Sequence, residues 1–175
     1  MSLQSEIADY RENEMRELHE LMRFYKSVSF QSAIEYAASG VTPHRKIHPH
    51  QRGIGVKRLR RSAILLKEYT STIRKANSFA GLFLITEAVR SELRGLGELW
   101  SYDTALRMAF NRGKTFYPQA VFVQKGNVKG IRKIFLKMPL KQRTLPAKIF
   151  PKEMRSLKPF EIENFLSNRG KALKG

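Results

Sequence analysis

Residues 93–110 read LRGLGELWSYDTALRMAF. Two glycines flank one leucine at Arg94-Gly95-Leu96-Gly97, and Leu99, Trp100, Leu106 and Phe110 then recur at helical spacing. Glycine lets the chain turn hard, and it leaves main-chain N–H groups open to a phosphate oxygen because no Cβ stands in the way. The helix that follows would aim its unpaired N–H groups and positive dipole end at the same anion. Leu96 would plug the turn from the core side. The stretch therefore predicts two helices joined by a tight turn in which Arg94, Gly95, Leu96 and Gly97 contact phosphate. Alone, the same pattern also fits an ordinary helix–helix connection.

Outward from this turn the periodicity stays helical. Residues 79–93 predict the helix before it, and residues 57–76 an earlier one with Leu59, Ala63, Leu66, Tyr69 and Ile73 on one face. Residues 29–39 predict another, with Ser29 as N-cap and Gly40 as C-cap. Residues 5–26 predict a long amphipathic helix of mixed charge. Between them, TPHRKIHPHQRGIG (42–55) holds two prolines and two glycines and reads as irregular. Past Gly113, Ala120–Val123 is a short extended piece, 127–136 a helix capped by Asn127, and a last helix starts at Pro159. The fold class is all-α: a single-domain helical bundle over 1–175, with 137–175 as a C-terminal extension.

At 175 residues the chain can bury a core without covalent staples. Apolar residues make up 42% and aromatics 10%, which is a globular composition. No cysteine occurs, so disulfides and thiolate metal sites are excluded and a reducing compartment is expected. No apolar run reaches the roughly 18 residues of a membrane span. The polar, acidic start MSLQSEIADYRENE is unlike a secretory signal. A cytoplasmic protein without a membrane partner is the expectation.

Charge points to a polyanion. Thirty-three Lys and Arg against fifteen Asp and Glu give +18. Val41–Lys75 carries ten basic residues and one acid, and Asn111–Lys158 thirteen and one. Solvated faces usually interleave both signs, whereas a domain this basic repels itself unless a polyanion offsets it.

Further candidates follow. In Pro43–Arg52, three of the four histidines fall within seven residues, and His48 and His50 project to one side of an extended segment. Arg52, Lys57 and Arg58 extend this basic stretch. It could hold phosphates, cap helix ends, or supply a base and an acid for RNA cleavage. The sequence neighbourhood offers no acid and much positive charge, which opposes a cation, so neither metal nor cofactor is expected. Asp103 is one of only two aspartates and lies on an otherwise apolar helical stripe. A carboxylate there is costly unless paired; it either fixes a loop by accepting N–H bonds or an Arg, or serves as a catalytic acid with a raised pKa. Lys125, Gly126, Asn127 and Lys129 form a possible second anion nest. Trp100 and Tyr102 read as core.

The stretch 93–110 resembles the helix-hairpin-helix of base-excision DNA glycosylases, and AVFVQKGNVKGIRKIF (120–135) resembles the segment that carries their catalytic aspartate. The resemblance covers residues 79–136. It implies a glycosylase-like central part that contacts DNA phosphates without reading sequence. Gln124 stands at the position of the catalytic aspartate and Leu99 at that of the lyase-type nucleophilic lysine. No carboxylate occurs between Asp103 and Glu153. Glycosyl-bond cleavage needs a carboxylate, and the bifunctional reaction an amine, so the resemblance implies binding without that chemistry. HPHQR (48–52), GLGELWSYDTA (95–105) and LKPFEIENFL (157–166) are also similar to a group of uncharacterised bacterial proteins.

The combined expectation is a protein that clamps nucleic acid, DNA ahead of RNA, between 94–97, 125–130 and 44–61. The alternatives are a divergent glycosylase or nuclease using His48, His50, Asp103 or Gln124, and an interaction module docking a protein through helices 5–26 and 159–168.

Overall fold

The structure, a computed structural model, describes residues 2–135 and 142–173. It is predominantly helical, as the periodicity implies. Leu136, the predicted end of one helix, lies outside the described residues. The chain divides into two compact units, one of Glu20–Tyr117 and one combining Met1–His19 with Pro118–Gly175.

The predicted helix over 5–26 is instead two, α1 (Leu3–Glu12) and α2 (Glu14–Ser27). They part at Asn13, whose side-chain amide donates to the Asp9 carbonyl at 3.0 Å and to Asp9 Oδ1 at 2.8 Å. A short amide competing for the carbonyl four residues back is a local alternative to the helical ladder.

In the unit of 20–117, α3 (Phe30–Ser39) has the caps expected of it. The Ser29 hydroxyl accepts from Ser32 N–H, and Gly40 closes the helix at φ 70°. The irregular stretch that follows holds one short helix, α4 (Pro49–Arg52). Proline suits a first helical position, where its missing N–H is not needed, and His48 sits before it as N-cap. The predicted helix over 57–76 breaks at Tyr69 into α5 (Val56–Glu68) and α6 (Thr70–Lys75). There the Thr70 hydroxyl bonds back to the Lys67 carbonyl. The remaining pair, α7 (Phe79–Glu92) and α8 (Glu98–Arg112), matches expectation.

Packing explains this arrangement. Ala33, Ala37 and Ala38 give α3 a thin, fully buried face, so α5 and α8 approach it closely. Trp100 is buried and donates its indole N–H to the Ala38 carbonyl at 2.9 Å. The last carbonyls of α3 are thus capped by side chains of α8, as buried backbone acceptors must be.

In the other unit, β1 (Ala120–Phe122) pairs antiparallel with β2 (Thr144–Pro146), Val121 facing Leu145. Between them runs α9 (Val128–Ile134), and α10 (Pro159–Arg169) begins at the expected proline. Ile7, Tyr10, Val121, Ile131, Phe150, Ile162 and Phe165 share one core. Tyr10 donates to the Glu161 carbonyl at 3.1 Å and to Asn164 Oδ1 at 3.0 Å. The acids Glu6, Asp9 and Glu14 converge on Arg169, so this mixed-charge segment spends part of its charge inside its own unit. Gly130 and Gly170 touch where α9 meets the end of α10: a Cβ on Gly130 would lie 2.9 Å from Gly170 Cα.

Candidate functional site

The turn between α7 and α8 is built as its residues require. Gly95 adopts φ +90°, a conformation side chains of L-residues avoid. Leu96 is buried, so it does plug the turn, while Arg94, Gly95 and Gly97 are exposed. Gly97 is the N-cap of α8, with an extended backbone, no side-chain cap bond and open space where a Cβ would stand. Arg58 comes to this turn from the first turn of α5. A Cβ on Gly95 would meet its guanidinium, with Cζ at 2.7 Å and Nε at 2.8 Å. Arg58 is itself exposed and anchors Nη1 on the Ile54 carbonyl at 2.8 Å. Glu98, in the first turn of α8, is the one acid immediately beside this group in the chain.

A second constellation forms in the same unit. Gly40 ends α3, a bridge between Val41 and Ile47 closes the next loop, and His48 N–H donates to the Gly40 carbonyl at 2.8 Å. This fixes His48 as N-cap of α4 and places His50 one turn-position on. Their rings pack edge to face, centroids 4.8 Å apart. Asp103, midway along α8, brings its Oδ2 to 3.8 Å from His50 Nδ1 and 3.6 Å from Arg107 Nη2. That oxygen is sealed from solvent and accepts no hydrogen bond from the described residues. One ligating atom from each of His48, His50 and Asp103 lies within 4.8 Å of the other two. Arg107 is buried and also reaches the Ala37 carbonyl at 3.4 Å.

Electrostatics follow from that placement. Burial pushes the His48 imidazole down to about 4, reinforced by the Arg107 charge and partly relieved by Asp103. His48 is therefore neutral at neutral pH. For Asp103, burial favours the protonated form, but His50, Arg107 and His48 outweigh it and hold the carboxyl below the usual range. Of the two roles the sequence leaves open to Asp103, a carboxylate paired with an Arg fits this direction and an acid of raised pKa does not; Arg107, four residues on, is the partner. Gln51, the last letter of HPHQ, is buried with both amide atoms lacking a hydrogen-bond partner among the described residues, its side chain lying over Gly40.

No family model, no curated protein and no solved structure matches this chain. The geometry therefore carries the functional argument.

Lys125, Gly126, Asn127 and Lys129 lie in the other unit. Lys125, Gly126 and Lys129 are exposed. Asn127 is not: its amide bridges the Phe122 carbonyl at 2.7 Å and Gln124 N–H at 3.0 Å, so it holds the turn together from within. Gln124 is buried and donates to Glu163 of α10, which also accepts from the Ser167 hydroxyl at 2.8 Å. A carboxylate thus does stand beside Gln124, brought by the last helix from 39 residues away.

Sequence reasoning missed Arg107 and Glu163 as members of these groups. A signal existed for Arg107, since Asp and Arg four apart on a helix meet on one face. None existed for Glu163. Trp100 and Tyr102 are core, as expected.

Proposed function

We propose that the chain binds nucleic acid through phosphate contacts at the turn 94–97 and the adjoining basic stretch 44–61, DNA being the better candidate through the helix-hairpin-helix resemblance. The observation that carries this is Arg58 lying against Gly95. It joins the two segments that charge and turn chemistry single out separately, with side chains of Arg52, Lys57, Arg58 and Arg94 all exposed. A glycine that cannot take a side chain, beside an arginine that remains accessible, is the arrangement an incoming phosphate oxygen needs. Lys125 and Lys129 add basic surface on the other unit. The proposed role is binding without base excision, since Gln124 supplies no carboxylate of its own and is tied to Glu163.

Neutralising phosphates releases counterions, so affinity should fall steeply with salt, by a factor of about 10³ or more between roughly 50 and 200 mM if six or more phosphates are contacted. Fluorescence anisotropy with duplex DNA, single-stranded DNA and RNA across a KCl series tests it. Affinity insensitive to salt would reject phosphate binding, and preference for RNA would reject the DNA assignment.

A further inference from the structure

The polar group at the junction of α4 and α8 takes His48 and His50 from the basic stretch proposed above to meet phosphate and adds Asp103, a residue that reading does not use. It combines two imidazoles and a carboxylate, drawn from positions 53 and 55 residues apart, with ligating atoms mutually within 4.8 Å. Two occupants suit such a group, an anion shared between the imidazoles or a cation shared by all three.

Geometry decides between them. A phosphoryl group cleaved by an imidazole pair needs the rings on opposite sides of it. Here the rings touch edge to face at 4.8 Å, which leaves no room between them. Asp103 adds a negative charge where a phosphate would sit, and its Oδ2 is sealed from solvent with only the longer ion-pair contacts to His50 and Arg107. A cation removes both objections. Imidazole and carboxylate are donors suited to first-row transition metals, and donors around a tetrahedral zinc stand about 3.4 Å apart. The observed spacing needs only a modest closing movement, and His50 is exposed enough to make it.

We propose that His48, His50 and Asp103 bind one divalent transition-metal cation of the zinc class. Three protein donors leave at least one coordination position to solvent, the pattern of an open rather than a closed site. Arg107 Nη2 lies 3.6 Å from the same Asp103 oxygen, and its guanidinium also reaches the Ala37 carbonyl at the negative end of α3 at 3.4 Å, which takes up part of its charge. Arg52, which follows the two histidines, is turned onto the Ile47 carbonyl at 3.3 Å. The contact from His50 N–H to His48 Nδ1 is long, 3.4 Å, and a change of tautomer on ligation through the other nitrogen sacrifices little.

This inference does not rest on nucleic-acid binding and is tested without nucleic acid. The full chain, stripped with a chelator, is titrated with Zn²⁺ by calorimetry and with Co²⁺ by visible absorption. The expected result is saturation at one equivalent, with Co²⁺ bands of a low-coordinate nitrogen–oxygen site and a raised Tm. His50→Ala and Asp103→Asn should each weaken binding at least tenfold, while His44→Ala, outside the group, leaves it unchanged. His50 is exposed, so His50→Ala keeps the fold and isolates the ligand's contribution. Absence of saturable one-equivalent binding overturns the proposal, as does binding that survives both substitutions or is lost with His44→Ala.

Discussion

Gly97→Val separates the phosphate-binding turn from the fold that presents it. The backbone at Gly97 has φ −92° and ψ 168°, which valine adopts readily, and among the described residues nothing beyond its chain neighbours lies within 4 Å of the added Cβ. The folding penalty is limited to the poorer N-cap, about 1 kcal/mol, or a Tm loss of about 2–4 °C in a chain of this size. Binding should suffer more. The two methyls stand at the mouth of the α8 N-terminus, where a phosphate oxygen would reach main-chain N–H groups. A lost hydrogen bond to a charged group is worth about 1.5–3 kcal/mol, so affinity should fall about 10- to 150-fold. Anisotropy titrations on duplex DNA alongside thermal melts give both numbers. A variant that melts within a few degrees of wild type yet binds equally well would show that the turn is an ordinary helix connection.

Two further outcomes probe the framework. Gly130→Ala should destabilise: alanine gains about 1 kcal/mol in helix propensity, but its Cβ would meet Gly170 Cα at 2.9 Å and the Leu166 carbonyl at 3.1 Å, and overpacking against backbone costs up to about 3 kcal/mol. Urea unfolding should show a net loss of about 2 kcal/mol, and a gain would mean the α9–α10 contact is looser than described. Glu161 governs an acid-side effect. Burial disfavours its charged form, but the Lys158 N–H at 2.8 Å and His19 at 3.0 Å outweigh it, so its pKa is lowered on folding. Its contribution is present above the unfolded value of 4.5 and is lost as pH falls through the lower folded value. The Tm gap between wild type and Glu161→Gln should be constant near neutrality and shrink below about pH 4.5; a gap that widens in acid would reverse the sign of this linkage.

Much of the helical framework is legible in the sequence because amphipathic spacing and capping residues act locally. Ser29, Gly40 and Pro159 mark their helix ends correctly, and the α7–α8 turn follows from two glycines and one leucine. The breaks at Asn13 and Tyr69 are not legible, since apolar periodicity continues across both and a side chain bonding back to its own helix decides them. β2 is hidden for a different reason: its three residues end in a proline and gain strand character only from pairing with β1. The constellations are half legible. His48, His50 and Asp103 stand out as residue types in unusual surroundings, yet only the packing of α8 on the α3 end brings them together. The absence of acids near His48 in sequence argues against a cation, and the fold supplies one from Asp103. Glu163 reaches Gln124 by the same kind of long-range meeting, which no local pattern encodes.

The most direct measurement is the salt dependence of duplex binding for wild type against Arg58→Gln, the residue that joins the basic stretch to the glycine turn. If Arg58 contacts phosphate, the slope of log affinity against log salt should become shallower by about 0.9, with the melting temperature unchanged. Identical slopes and affinities in the two proteins would contradict the proposed interface.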